Sequence, residues 1–231
     1  MQENQDRQQL AAYLEQFDIQ DVFHEPLLPH VSLYMFEPGE ELCRQGGQSE
    51  ILYVLVKGMT KTSTTSPEGR TLVLSFKTPP EMIGDIEYIE KIENMNTVEA
   101  VTPVEALGIP YQWLYRYGQD HPPLLQFLLK IITSKFRIKS DSMSFNLMHP
   151  VETRLASYLL SVTTEQNPVL ITGHPADYNL TDIANLIGTS YRHLNRVIGQ
   201  FCTEGWIVRK RGSIAILNRP ALYQLAGAAV F

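Results

Sequence analysis

The sequence predicts an α+β chain in three parts: an N-terminal antiparallel β-roll (1–121), a long helix that pairs with its copy (122–148) and a C-terminal winged helix-turn-helix (149–231). Three observations predict it. Between Val31 and Ile109 short β-rich runs recur between turn signals. From Leu125 to Met143 residues of one helical face recur at alternating spacings of four and three. From Leu180 to Ile216 two amphipathic stretches flank Gly188 and lead into a hairpin with a cationic tip.

The elements follow in order. Leu10, Tyr13, Leu14 and Phe17 lie at helical spacing, so residues 7–17 form an opening helix. The period then shortens: Ile51–Val56, Leu72–Phe76, Val98–Val101 and Val104–Ile109 read as strands, separated by turn signals such as Pro38-Gly39, Gly46-Gly47 and Pro67-Glu68-Gly69. Pro110 ends that pattern, and Tyr111–Tyr117 reads as a short helix before the break at 120–123. Pro122 and Pro123 suit the first turn of the next helix, where a missing N–H removes no bond. Leu125, Leu129, Ile132, Phe136, Lys139 and Met143 then mark a heptad seam with one polar position. A helix that covers its own chain's core would show the same spacing. A helix bridging two domains has few neighbours of its own chain, which favours a dimer seam. His149-Pro150 closes this helix, since the residue before proline is pushed out of the α region. Val151–Val162 is a further helix with Leu155, Leu159 and Val162 on one face, and a loop follows over 163–179.

Composition narrows the class. Of 231 residues 44% are hydrophobic and 19% charged, which excludes a disordered chain and permits one or two domains. The first residues lack a secretory pattern, and no apolar run approaches the roughly 18 residues of a membrane span, so the expected location is the cytoplasm. Cys43 and Cys202 lack the paired spacing of a zinc or iron–sulfur site and read as reduced, packed thiols. A net charge of −6 looks wrong for a nucleic-acid partner, but it is unevenly spread. Residues 1–149 carry 12 Lys and Arg against 20 Asp and Glu, a balance of −8, whereas residues 150–231 carry 7 against 5, a balance of +2.

That basic excess gathers around one motif. Thr181 can cap a helix with Ile183, Leu186 and Ile187 inward and Ala184 small enough for a second helix to cross closely. Gly188 can take the positive φ of the turn, and Ser190 can cap a second helix with Leu194, Val197, Ile198 and Phe201 inward. Its outward face carries Tyr191, Arg192, Asn195 and Arg196, residue types suited to base edges in the major groove of double-stranded DNA. Arg209-Lys210-Arg211 sit on the hairpin, where cations suit phosphates. A basic turn or a surface arginine taken singly is usually just solvated surface. Their joint order of helix, turn, helix and hairpin is what points to DNA.

Over nearly its whole length the chain resembles the CRP/FNR superfamily of transcription regulators. FEPGEELCRQGGQSEILYVLVKG resembles the opening of its cyclic-nucleotide-binding-like jelly roll, and IGDIEYIE resembles the cassette where members bind nucleotide. The second helix, starting Ser190-Tyr191-Arg192-His193-Leu194, most resembles the YeiL-like branch. The resemblance implies a homodimer on a pseudo-palindromic site, with RNA polymerase as a partner, and makes Gly84, Asp85, Glu87 and Asn94 the candidate effector pocket. Aligned on Gly84 and the strand 98–109, Asp85 stands where cyclic-AMP-binding members carry a ribose-contacting glutamate, and Asn94 or a neighbour replaces the phosphate-binding arginine. Five acids and one cation, Lys91, occupy residues 85–100, which speaks against cyclic AMP in the usual mode. On the second helix Tyr191 and Arg192 occupy places where the cyclic AMP receptor has an arginine and a glutamate, so the target sequence should differ.

Two other classes compete. A cupin-like metalloenzyme needs inward histidines, but the six histidines are 24, 30, 121, 149, 174 and 193, so none falls in the roll between 31 and 120. A noncatalytic interaction scaffold would leave the basic hairpin and capped helix unused. An iron–sulfur cluster needs four protein ligands where two cysteines exist, and no motif supports haem. The effector is left open by the sequence.

Overall fold

The computed structural model describes residues 2–4, 6–165, 168–171 and 179–227, without the side chains of 170 and 171. Contacts divide the chain into two compact units, Met1–Phe136 and Arg137–Phe231. The fold is α+β, as the sequence predicts.

The first unit begins with strand β1 (Gln2–Asn4) and helix α1 (Arg7–Gln16). Asp6 caps α1 by accepting bonds from the amides of Gln8 and Gln9. The Arg7 guanidinium donates to the carbonyls of Leu28, Pro29 and Val31, fixing the helix to the segment before the roll. The roll comprises β2 (Ser32–Phe36), β3 (Glu41–Cys43), β4 (Ile51–Lys57), β5 (Thr60–Thr65), β6 (Thr71–Lys77), β7 (Glu81–Ile83), β8 (Thr97–Ala100) and β9 (Val104–Pro110), with helix α2 (Asp85–Glu90) between β7 and β8. All pairings are antiparallel, in two sheets of order β1-β2-β9-β4-β7 and β3-β8-β5-β6.

The first sheet is covered on both faces, which explains why β4 and β9 read as nearly continuous apolar runs. Leu52, Val54, Leu107 and Ile109 pack with Leu10 and Leu14 of α1, with Leu114 of α3 (Tyr111–Tyr117) and with Leu124 and Leu128 of α4 (Pro122–Met148). The intervening residues, Tyr53, Leu55, Val104 and Ala106, pack with Leu42, Val98 and Ala100 of the second sheet. Strand alternation thus feeds two cores from one strand. The second sheet is covered on one face only, and in β5, Thr-Lys-Thr-Ser-Thr-Thr, just Thr60 and Ser63 are buried.

The second unit takes the last turns of α4, then α5 (Val151–Val162), β10 (Val169–Ile171), α6 (Leu180–Leu186), α7 (Tyr191–Thr203), β11 (Ile207–Lys210), β12 (Ser213–Ile216) and α8 (Arg219–Ala226). The strands form one antiparallel sheet of order β10-β12-β11. Its core joins Leu155 and Leu159 to Ile183, Ile187, Leu194, Val197, Ile198, Phe201, Ile207, Ile214 and Leu222. Helix α5 is buried well beyond its predicted stripe, from Arg154 through Leu160, because α7 and α8 both pack against it. The predicted loop 163–179 contains β10, which adds a third strand to the hairpin, and His174 lies outside the described residues.

Candidate nucleic-acid interface

Helix α6 is capped by Asn179, whose side chain accepts the amide N–H of Asp182 at 2.8 Å. This corrects the cap expected at Thr181, which is the second residue of the helix and exposed. Thr181 and Asn179 are both cap formers. Leu180 decides between them: it is buried as the first helical residue, so the chain must already be turning there. Gly188 takes φ +66° in the turn, and Ser190 caps α7 by accepting from the amide of His193 at 3.2 Å, both as predicted.

The turn is held from below by a residue that the sequence did not single out. Arg154 of α5 is nearly buried, and its Nη1 donates to the carbonyls of Ile187 and of Gly188, the latter at 3.1 Å. Those carbonyls end α6 and have no helical partner. Burial lowers the Arg154 pKa, and Glu152 partly offsets this. A guanidinium stays charged throughout the usable pH range, so the clamp is permanent.

The outward face of α7 then forms. Its buried residues Leu194, Val197, Ile198 and Phe201 leave Tyr191, Arg192 and Arg196 exposed, and Asn195 half-buried. Arg196 bonds the ring of His193 at 2.7 Å. The hairpin turns at Arg211-Gly212, with Lys210 paired to Ser213 and Gly212 at φ +74°. Lys210 and Arg211 are exposed there. Arg209 stands one residue before Lys210 on β11 and reaches back to Asn195, its Nη1 donating to Oδ1 at 2.6 Å. A cleft of about 390 Å³ separates hairpin and helices, lined by Thr181, Tyr191, Arg209, Lys210 and Arg211 together with Asn179, Leu180 and Gly212. Five of the nine predicted contact residues therefore share one cleft, and Arg192 and Arg196 share the helix beside it.

In the first unit the four candidate pocket residues are scattered in role. Gly84 adopts φ +89° as its carbonyl accepts the Tyr111 hydroxyl at 2.6 Å, and a Cβ there would stand 2.6 Å from that oxygen. Asp85 is buried and both its oxygens meet Lys135 Nζ, at 2.9 and 3.0 Å. Lys135 also lies 2.9 Å from Glu81, which is 3.2 Å from Lys77. Burial opposes the Lys135 charge, but Asp85 and Glu81 outweigh it and hold the ammonium above its usual pKa. Glu87 accepts the Met95 amide at 3.1 Å, and Asn94 is buried with its side-chain oxygen unpartnered. Lys91, the single cation of 85–100, lies 5.4 Å from the Tyr115 ring centroid. Glu87, Lys91 and Tyr115 line an open cleft of about 480 Å³ with Ser49 and Tyr111, which Gly84, Asp85 and Asn94 do not line. Among the described residues, no three His, Cys, Asp or Glu side chains gather as metal ligands.

Helix α4 carries two stripes. Leu124, Leu128 and Ile131 pack on the first unit's core, and Lys135 continues that line to Asp85. The predicted seam lies one residue further along: Ile132 is half-buried, and Leu125, Leu129 and Phe136 are 44%, 66% and 74% exposed. Met143, within the second unit, is 66% exposed and Lys139 is exposed. Among the described residues no helix is long and apolar enough to cross a membrane.

Residues 34–121 match the family model of the cyclic nucleotide-binding domain, and residues 153–225 that of the Crp-like helix-turn-helix domain. The chain is 26% identical over 206 residues to the regulatory protein YeiL of Escherichia coli O157:H7, covering 89% of this chain and 90% of YeiL. It is 24% identical over 195 residues to the CRP-like cAMP-activated global transcriptional regulator of Mycobacterium tuberculosis H37Rv, covering 83% and 86% of the two chains. Its fold is similar to that of a putative transcriptional regulator of the Crp/Fnr family from Eubacterium rectale, with a TM-score of 0.76 at 21% identity over 93% of this chain and 99% of that one.

Proposed function

Because the chain belongs to the CRP/FNR superfamily of DNA-binding transcription regulators, we propose that it acts as a cytoplasmic homodimer that reads a pseudo-palindromic DNA site through α7 and holds the backbone with the hairpin. The observation that carries this reading is the exposure of Arg192 and Arg196 on α7, the helix whose Tyr191 lines one cleft with the cations Arg209, Lys210 and Arg211. Arginine bonds guanine in a bidentate fork, while cations on a hairpin neutralise phosphate without reading sequence. The role is binding, not catalysis, and RNA polymerase is the partner recruited or blocked by the bound dimer.

Selection from a random DNA pool tests this. Two α7 helices one helical turn apart should select an inverted repeat with centres roughly 10 base pairs apart. Arg192→Ala should cost about 1–3 kcal/mol on that site and flatten preference at one position of each half. A selected site without two-fold symmetry, or unchanged preferences in the variant, would overturn the assignment.

The effector is not cyclic AMP held in the family's usual mode. Asp85, which stands at the ribose-contacting position by resemblance, is engaged by Lys135, and Asn94 brings no positive charge to a phosphate. A phosphate buried there without a cation would cost several kcal/mol. Calorimetry with cyclic AMP should register no tight binding; micromolar affinity that disappears with the corresponding nucleoside would contradict this reading.

A further inference from the structure

Asn195 is by residue type an adenine reader, since a carboxamide can bond both the amino group and the ring nitrogen of that base. Here both ends of the carboxamide are already used. Its nitrogen donates to the Tyr191 carbonyl at 2.9 Å, one helical turn back. Its oxygen accepts Arg209 Nη1 at 2.6 Å from β11, fourteen residues onward. The first bond fixes which way the amide faces, and the second uses the oxygen thus presented. Asn195 is half-buried between the helix face and the hairpin, whereas Arg192 and Arg196 are exposed. Arg209 lines the cleft between α7 and the hairpin, beside Tyr191 and Lys210.

We infer that Asn195 is a positioning residue that ties Arg209 to the recognition helix, so that Arg209 meets the DNA backbone as part of α7 and not as part of a separately moving hairpin. The inference rests on the DNA-binding reading above. The remaining N–H groups of Arg209 stay free for one phosphate, because the guanidinium offers five donors and Asn195 takes one. Base reading at this end of the helix is left to Tyr191, Arg192 and Arg196.

The tie predicts an effect that an uncharged residue does not usually have. Removing one phosphate contact lowers the salt slope of binding by about one unit. Asn195→Ala removes no charge, yet it should lower the slope by nearly as much as Arg209→Ala does. Both variants should bind the selected site about tenfold more weakly, and the double variant no more weakly than Arg209→Ala alone. Asn195→Ala should select the same DNA sequence as the parent and unfold at the same urea concentration. An unchanged slope with preference flattened at one base pair would make Asn195 a reader and overturn the inference. Additive losses in the double variant, or a lowered unfolding midpoint, would overturn it equally. If the parent protein binds no duplex preferentially, the functional reading itself fails, and the tie with it.

Discussion

Arg154 shows how much a single side chain carries in this protein. Its guanidinium supplies donors to two carbonyls at the end of α6, in a turn that sets the angle of α7. Replacing it with methionine keeps most of the volume and removes the donors, leaving the buried Ile187 carbonyl unpaired at about 1–3 kcal/mol. Arg154→Met should therefore lower the urea midpoint of the second unit and weaken DNA binding on all sequences alike; an unchanged midpoint would mean that the turn holds itself. Nothing in the local sequence announces this residue, since its partners stand 33 and 34 positions away. The same distance hides Lys135, fifty positions from Asp85: the acidity of 85–100 was legible, but the cation that answers it is delivered by another element. Ser190 and Gly188 were legible because caps and positive-φ turns are local chemistry.

At the scale of elements, legibility followed burial. Strands β4 and β9 declare themselves because both faces are covered, whereas β5 presents Thr, Ser and Lys to half-solvated surroundings and lacks an apolar signal. Helix α2 is legible only through the family resemblance, being six residues long and flanked by a left-handed residue at each end. Helix α4 was legible as a helix, and its exposed stripe is what supports the proposed pairing with a second copy. Leu129→Glu with Phe136→Glu would place two charges on each side of such a seam, at positions that touch no core in the single chain. Sedimentation should find monomers whose roll remains folded. A dimer that survives the double change would place the interface elsewhere.

For the whole molecule, four titratable groups of the first unit, Cys43, Tyr53, Tyr111 and Lys135, push in one direction. Burial raises the Cys43 thiol to about 12 and raises Tyr53 and Tyr111, while Asp85 and Glu81 hold Lys135 up against burial. For the three acids, the unfolded chain releases protons earlier than the folded one, from about pH 8.5 for Cys and 10 for Tyr. Stability is thus complete below those values and falls as pH rises toward the folded ones. Lys135 agrees in sign: its contribution is intact below about pH 10.4 and is lost through its raised folded value. Thermal melting of the roll should hold from pH 7 to about 8.5 and drop progressively by pH 11, and a flat profile would mean that these groups are solvated.

Helix α4 is written in two reading frames. Leu124, Leu128, Ile131 and Lys135 occupy one, and Leu125, Leu129, Ile132 and Phe136 repeat the same four-three-four rhythm one residue later. One residue is about 100° of helix, so loss of a single residue such as Lys130 turns the exposed frame into the core-facing one beyond that point. Ile132 would fall into the slot of Ile131 harmlessly, but Phe136 would arrive over Asp85 in place of its ammonium, and Arg137 would enter the exposed stripe. Substitutions can drift along either line independently. Changes of length cannot, unless they restore the helical phase, as a whole heptad nearly does by returning both frames together.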